Sequence, residues 1–289
     1  MIITHKIAAL TATLTTALSL LAAPAMAFSV GATNNILTLK NNLLGTNTAG
    51  LSNFSLSITG NEEAFGIFTD DPFGLTSGVV LSTGKVTDLP GRNLKSSDGN
   101  DLSTDFGPPR EEGDLSELNL SFFADSTAEK LFFKYVFGSE EFLEYGGSKY
   151  NDEFELLLNG TNLAKLTDGK TVTINNLVPN QYDRSTDHPD YINNPSWIGI
   201  AANIIKLDGY TKVLGFEGLL KQNQTNVLTI RIQDVGDGTL DSAVFIQGNV
   251  GTIDPEIDPE AVPEPMTVGG LMAGGAMLAA GRKLRARRP

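Results

Sequence analysis

Short apolar segments, broken again and again by glycine, asparagine and aspartate turns, run through the middle of this chain, and that rhythm leaves few folds open. Phe54, Leu56 and Ile58 alternate with Ser55, Ser57 and Thr59, and Leu118, Leu120 and Phe122 alternate in the same way. A period of two puts one set of side chains on one face of a strand. Further strands are expected at Gly78–Ser82, Leu131–Phe137, Phe154–Leu158, Val172–Ile174, Val213–Leu220, Val227–Ile232 and Ala243–Ile246. Asp98-Gly99-Asn100, Asn159-Gly160, Asp168-Gly169, Asp208-Gly209 and Asp237-Gly238 supply turn chemistry between them. The spacing of Ile36, Leu37, Leu39, Leu43 and Leu44 predicts one short amphipathic helix, closed by Gly45. The expected fold is mainly β, a β-sandwich or jelly roll with one short N-terminal helix. Two long polar stretches, Asp88–Asp114 and Pro179–Ser196, are expected to be surface loops.

The two ends do not fit this pattern. Lys6 precedes an uncharged, mostly apolar run from Ile7 to Leu21, and Ala25-Met26-Ala27 then offers small residues at a cleavage site. That order predicts a secretory signal peptide over residues 1–27, cut after Ala27 with Ala25 at the −3 position. An uncleaved anchor is the alternative. At the other end, Met266–Gly281 carries no charge and is followed by Arg282, Lys283, Arg285, Arg287 and Arg288. Its 16 residues are rich in Gly and Ala, against the roughly 20 that span a bilayer comfortably. The basic tail, 282–289, would stay cytoplasmic. Between domain and tail, residues 252–265 alternate proline with acid and read as an extended spacer.

An exported chain without cysteine folds without disulfides, so its core must hold it, with the help of an ion where one binds. Thiolate metal sites and thiol catalysis are excluded. The formal net charge is −13 although six basic residues sit in the two ends, so the domain itself is more acidic still. Such a surface repels phosphate backbones and excludes nucleic acid as a partner.

The end of the chain resembles the PEP-CTERM sorting signal of Gram-negative bacteria. Val262, Pro263, Glu264 and Pro265 precede the apolar run and the basic cluster in that order. The resemblance implies transient anchoring in the inner membrane through residues 266–281, removal of the tail by an exosortase-type enzyme after signal peptidase has acted, and delivery to the cell surface or extracellular matrix. The alternative is a simple tail anchor.

The domain, residues 28–251, resembles the choice-of-anchor L domain over about 34–250. Gly78-Val79-Val80-Leu81-Ser82-Thr83-Gly84 matches an early strand and turn of that family. Tyr135-Val136-Phe137-Gly138-Ser139-Glu140-Glu141-Phe142 matches its most distinctive phrase, with Phe142 where Tyr is common. Glu144-Tyr145, Asn151-Asp152-Glu153-Phe154, Asp208-Gly209-Tyr210-Thr211, Asp234-Val235-Gly236-Asp237-Gly238 and Asp241-Ser242-Ala243-Val244-Phe245-Ile246 follow. The family implies surface location and fold, and brings no established reaction.

The acids in these phrases are the chemical lead. Glu140, Glu141, Asp152, Asp237 and Asp241 lie beside expected strand ends, and Asn151 and Asp234 accompany them. Carboxylates gathered on one edge repel one another unless a cation joins them, and Ca²⁺ takes roughly 6 to 8 oxygens. These five residues form the candidate calcium site. Asp152 and Asp241-Ser242 loosely resemble the way CUB-type sandwiches assemble one. The same acids could equally fix turns without metal.

No catalytic residues are assigned. His5 leaves with the leader, so His188 is the sole imidazole for a triad. Glu140 and Glu141, as neighbours on a strand, would face opposite ways and make a poor pair for glycoside cleavage. Trp197, Tyr182 and Tyr191 could stack on sugar rings or simply pack under the loop. The expected function is therefore a non-catalytic adhesion or structural domain that meets extracellular polysaccharide or surface proteins. The alternative is a secreted carbohydrate-binding module or a carboxylate-dependent glycan-active enzyme.

Overall fold

A computed structural model describes residues 27–46, 48–95, 100–107 and 114–252. The leader with Ala25, the spacer beyond 252, Val262–Pro265, the apolar run and the basic tail lie outside the described residues. Among the described residues no helix is long and apolar enough to cross a membrane.

Among the described residues fourteen strands form two antiparallel sheets, as the alternation predicts. In chain order they are β1 (Ser29–Ala32), β2 (Leu51–Thr59), β3 (Phe65–Thr69), β4 (Ser77–Ser82), β5 (Leu115–Ala124), β6 (Lys130–Ser139), β7 (Glu153–Leu158), β8 (Thr161–Asn162), β9 (Val172–Thr173), β10 (Tyr191–Asn193), β11 (Gly209–Thr211), β12 (Leu214–Leu219), β13 (Gln224–Gln233) and β14 (Ser242–Gln247). The first sheet runs β1-β3-β4-β14-β6-β11-β10, with β12 also paired to β6. The second runs β2-β5-β13-β7-β8, with β9 paired to β7. Helix α1 (Ile36–Leu44) starts where the Asn35 side chain accepts from Thr38 N at 3.0 Å, and buries Leu39, Leu43 and Leu44. It ends at Gly45, whose φ of 55° suits glycine. Helix α2 (Ile174–Leu177) is one turn.

The second sheet has one buried face. Leu118, Leu120 and Phe122 on β5, Phe154 and Leu156 on β7, and Leu228, Ile230 and Ile232 on β13 meet Phe133, Tyr135, Phe137, Val244 and Ile246 of the first sheet. Each such side chain contributes roughly 1.5–3 kcal/mol on burial. The first sheet is buried on both faces in its middle, at β4, β14 and the end of β6, which is why β4 and β14 read as unbroken apolar runs rather than alternations. Its outer face presents Phe68, Val80, Val136, Ala243 and Phe245 to Leu89, Leu102, Ala201, Ile205 and Leu207.

That second core corrects the expectation of two surface loops. Residues 89–95 and 100–107 and the stretch from 188 to 208 lie over the outer face and are anchored there. Leu89 and Leu102 are buried, β10 pairs with β11, and Asn194 is fully buried, donating to Leu207 O at 2.8 Å and accepting from Ala201 N at 3.0 Å. Polar composition suggested solvent, but these polar groups hydrogen-bond the backbone of a cover that an apolar sheet face requires.

Candidate functional site

Register places seven acids at one end of the sandwich. Ser139 at the end of β6 pairs with Ser242 at the start of β14 and with Gly209 at the start of β11. Gln233 at the end of β13 pairs with Leu115 and Glu153, which open β5 and β7. One residue outside these six strand ends stand Glu140, Asp241, Asp208, Asp234, Asp114 and Asp152; Glu141 follows Glu140. Glu140 and Glu141 lie beyond the strand, so the face alternation expected of them does not apply, and both are buried.

All seven are 9% exposed or less, and six of them 2% or less. Among the described residues none of the seven forms an ion pair with Lys, Arg or His. Several oxygens bind backbone instead. Glu140 Oε1 accepts from Asp101 N (2.6 Å), Asp241 Oδ1 from Thr104 N (2.8 Å) and Asp114 Oδ2 from Phe106 N (2.9 Å), which ties segment 101–106 across the edge. Asp152 accepts from Val235 N at 3.0 Å and from Ser242 Oγ at 2.7 Å. Glu140 Oε2, Glu141 Oε2, Asp208 Oδ2 and Asp241 Oδ2 are buried without a hydrogen-bond partner.

Burial dominates the electrostatics. It pushes the Asp241 carboxyl up to about 7, Glu140 to about 8, Asp208 to about 9 and Glu141 to about 10, with neighbouring carboxylates adding to each. Asp152 and Asp234 face each other and are also raised, mainly by burial. Asp237 is half-buried at the rim; its Oδ1 caps its own turn, accepting from Thr239 N and Oγ1 at 3.1 and 3.0 Å.

The five residues of the expected calcium set therefore do share one edge. Among the described residues, however, no three acidic or imidazole side chains already form a metal-holding group. Asp208, Asp234 and Asp114 belong to the same edge and were outside that set. An acid one residue outside a legible strand is the signal that would have found Asp234 and Asp114; Asp208 precedes the three-residue β11, which shows no periodicity of its own. Asn93, buried in the covering segment, carried no such signal.

His188 lies in a structural network. Its Nδ1 accepts from Asp190 N at 3.1 Å and its Nε2 faces Asp168 Oδ1 at 3.3 Å, while Asp190 also accepts from Thr167. Tyr191 packs on Phe142 with ring centroids 4.7 Å apart, whereas Tyr182 and Trp197 are 88% and 60% exposed.

Fold and edge together define an antiparallel sandwich with a sealed acidic end. The chain belongs to the choice-of-anchor L family, whose domain description matches residues 30–250. That membership points to an exported surface protein. No curated protein matches the chain. A matching solved structure is a family 35 carbohydrate binding module from an environmental isolate, at 9% identity and a TM-score of 0.22, covering 56% of this chain and 85% of that one. At that score the likeness carries no argument.

Proposed function

We propose that this chain is a non-catalytic surface or matrix protein of a Gram-negative-type bacterium. Its leader exports it, an exosortase-type enzyme processes it at Val262–Pro265, and its sandwich then serves as an adhesion or scaffold module. The observation that carries the non-catalytic part is the sealing of the acids. A glycosidase needs two carboxyl groups facing a substrate cleft, and Glu140, Glu141, Asp152, Asp208, Asp234 and Asp241 are 1–2% exposed. Groups so placed support a stabilising role. Calcium on the edge formed by Glu140, Glu141, Asp152, Asp237 and Asp241 would hold the loops that close the sandwich.

Mass spectrometry of protein released from the cell surface tests the sorting. A chain starting at Phe28 and ending near Pro265 is expected. An intact tail ending at Pro289, or a cytoplasmic chain with its leader, overturns it.

Trp197 favours a second reading, glycan binding without catalysis. Its backbone sits at φ 67°, a conformation bulky residues rarely adopt, and its indole stands exposed beside Ile198 and Ile200, which are 83% and 89% exposed.

A further inference from the structure

Asn93 is fully buried, and only one end of its carboxamide is satisfied. Nδ2 donates to Asp208 Oδ1 at 2.6 Å and to Asn194 O at 2.8 Å, while Oδ1 is buried with no partner. Turning the amide over would set its oxygen against those two acceptors, so the orientation is fixed by its neighbours. Asp208 Oδ2 and Glu140 Oε2 are buried and unpartnered as well.

The residues that carry these oxygens are joined, through their other atoms, in one closed circuit. Asp208 N donates to Ser139 O at 3.1 Å, and Ser139 precedes Glu140. Glu140 Oε1 accepts from Asp101 N; Asp101 Oδ2 accepts from Leu94 N at 2.5 Å; and Leu94 follows Asn93. Lys95, next in the chain, directs its ammonium to Asn100 O at 3.2 Å.

A proton relieves an orphan carboxylate oxygen, but an amide oxygen has no such remedy. It needs a donor or a cation, and left alone it keeps its full desolvation cost. One amide and two carboxylates, all offering oxygen and neither nitrogen nor sulfur, make a donor set for a hard cation. Ca²⁺ accepts such a mixed, irregular shell and fills it with carbonyls and water, whereas Mg²⁺ demands a near-ideal octahedron.

We propose that Asn93, Asp208 and Glu140 hold a calcium ion that fastens the covering residues 89–95, 100–107 and 194–208 to the outer face of the first sheet. The site goes beyond the sorting reading and does not rest on it. It shares only Glu140 with the set formed by Glu140, Glu141, Asp152, Asp237 and Asp241.

Calcium titration of the full-length, chelator-stripped protein by calorimetry tests the assignment, with Asp208→Asn, Glu140→Gln and Asp152→Asn as variants. Binding at or below about 1 mM is expected, the range of extracellular calcium modules. Asp208→Asn and Glu140→Gln should weaken it at least about tenfold, since even outer partners of metal ligands cost that much. Asp152→Asn should keep an equivalent bound. Calcium should also slow proteolysis within 89–95 and 100–107. Should either variant fail to fold, calcium titration of ¹⁵N-labelled wild-type protein decides, because the Asn93 carboxamide resonances must shift. No binding by the wild-type protein overturns the site. So do unmoved Asn93 resonances, undiminished binding by folded Asp208→Asn, or loss of all binding in Asp152→Asn alone.

Discussion

Ser242 Oγ donates to Asp152 Oδ2 at 2.7 Å, and this bond crosses from one sheet to the other at the acidic end. Ser242 opens β14 and Asp152 stands before β7, ninety residues away in sequence. Both are buried, so water does not replace the bond.

Ser242→Ala should therefore cost about 1–3 kcal/mol, the range for a buried acceptor losing its donor. Ser242 N donates to Thr83 Oγ1 at 2.9 Å through the backbone, and that bond survives the substitution. Urea denaturation checks the value. A midpoint unchanged from the wild type would mean that Asp152 is already relieved by another partner.

The long strands of the second sheet were legible because only one of their faces is buried. β5 alternates residue by residue over its whole length and β13 from Thr225 onward, and the two pair in continuous register. β1, β10 and β11 were not legible. They have three or four residues each, and β1 and β11 contain glycine. No periodicity shows over so few positions, and these strands exist because longer neighbours offer them an edge.

The acidic edge was legible in part for a related reason. Glu140, Glu141, Asp152 and Asp241 flank strands that the pattern reveals. Asp208 flanks β11, which it does not. Asn93 and Asp208 are 115 residues apart and meet only because two covering segments fold over the outer face of the first sheet. Nothing in a polar stretch says which of its amides will be buried; that depends on the apolar face it must cover.

Gly84 should be intolerant of any side chain. A Cβ built there overlaps the Asp241 carboxylate, whose Oδ1 is held by Thr104 N at 2.8 Å. Gly84→Ala is expected to destabilise by about 1–3 kcal/mol, as overpacking of a well-fitted interior does. Combined with Asp241→Ala the two effects should be clearly non-additive, because the second change removes the group the methyl strikes. Additive losses in a double-mutant cycle would place the clash elsewhere.

Trp197→Ala should leave stability within about 0.5 kcal/mol of the wild type, as exposed substitutions usually do. Its Nε1 makes one exposed bond, to Leu94 O at 3.2 Å. On a glycan array, signal that disappears with Trp197→Ala while the melting temperature holds supports sugar stacking on this indole. Equal signal from both proteins removes it from the binding surface.

The buried acids make stability depend on pH in a defined direction. Asp241, Glu140, Asp208 and Glu141 are raised to about 7, 8, 9 and 10, while in the unfolded chain such groups titrate near 4. Between those limits the folded protein keeps protons that the unfolded chain has released. Stability must then fall as pH rises, by about 1.4 kcal/mol per pH unit for each retained proton, and the fall ends only when the last group ionises. With a chelator present, the urea midpoint should drop steadily from about pH 5 to about pH 9. Excess calcium should flatten that slope, because a bound cation holds the carboxylates ionised in the folded state and removes their protons from the balance. A midpoint that rises with pH in chelator would show that these acids are ionised in the fold without metal, and the electrostatic picture of a sealed, proton-holding edge would fail.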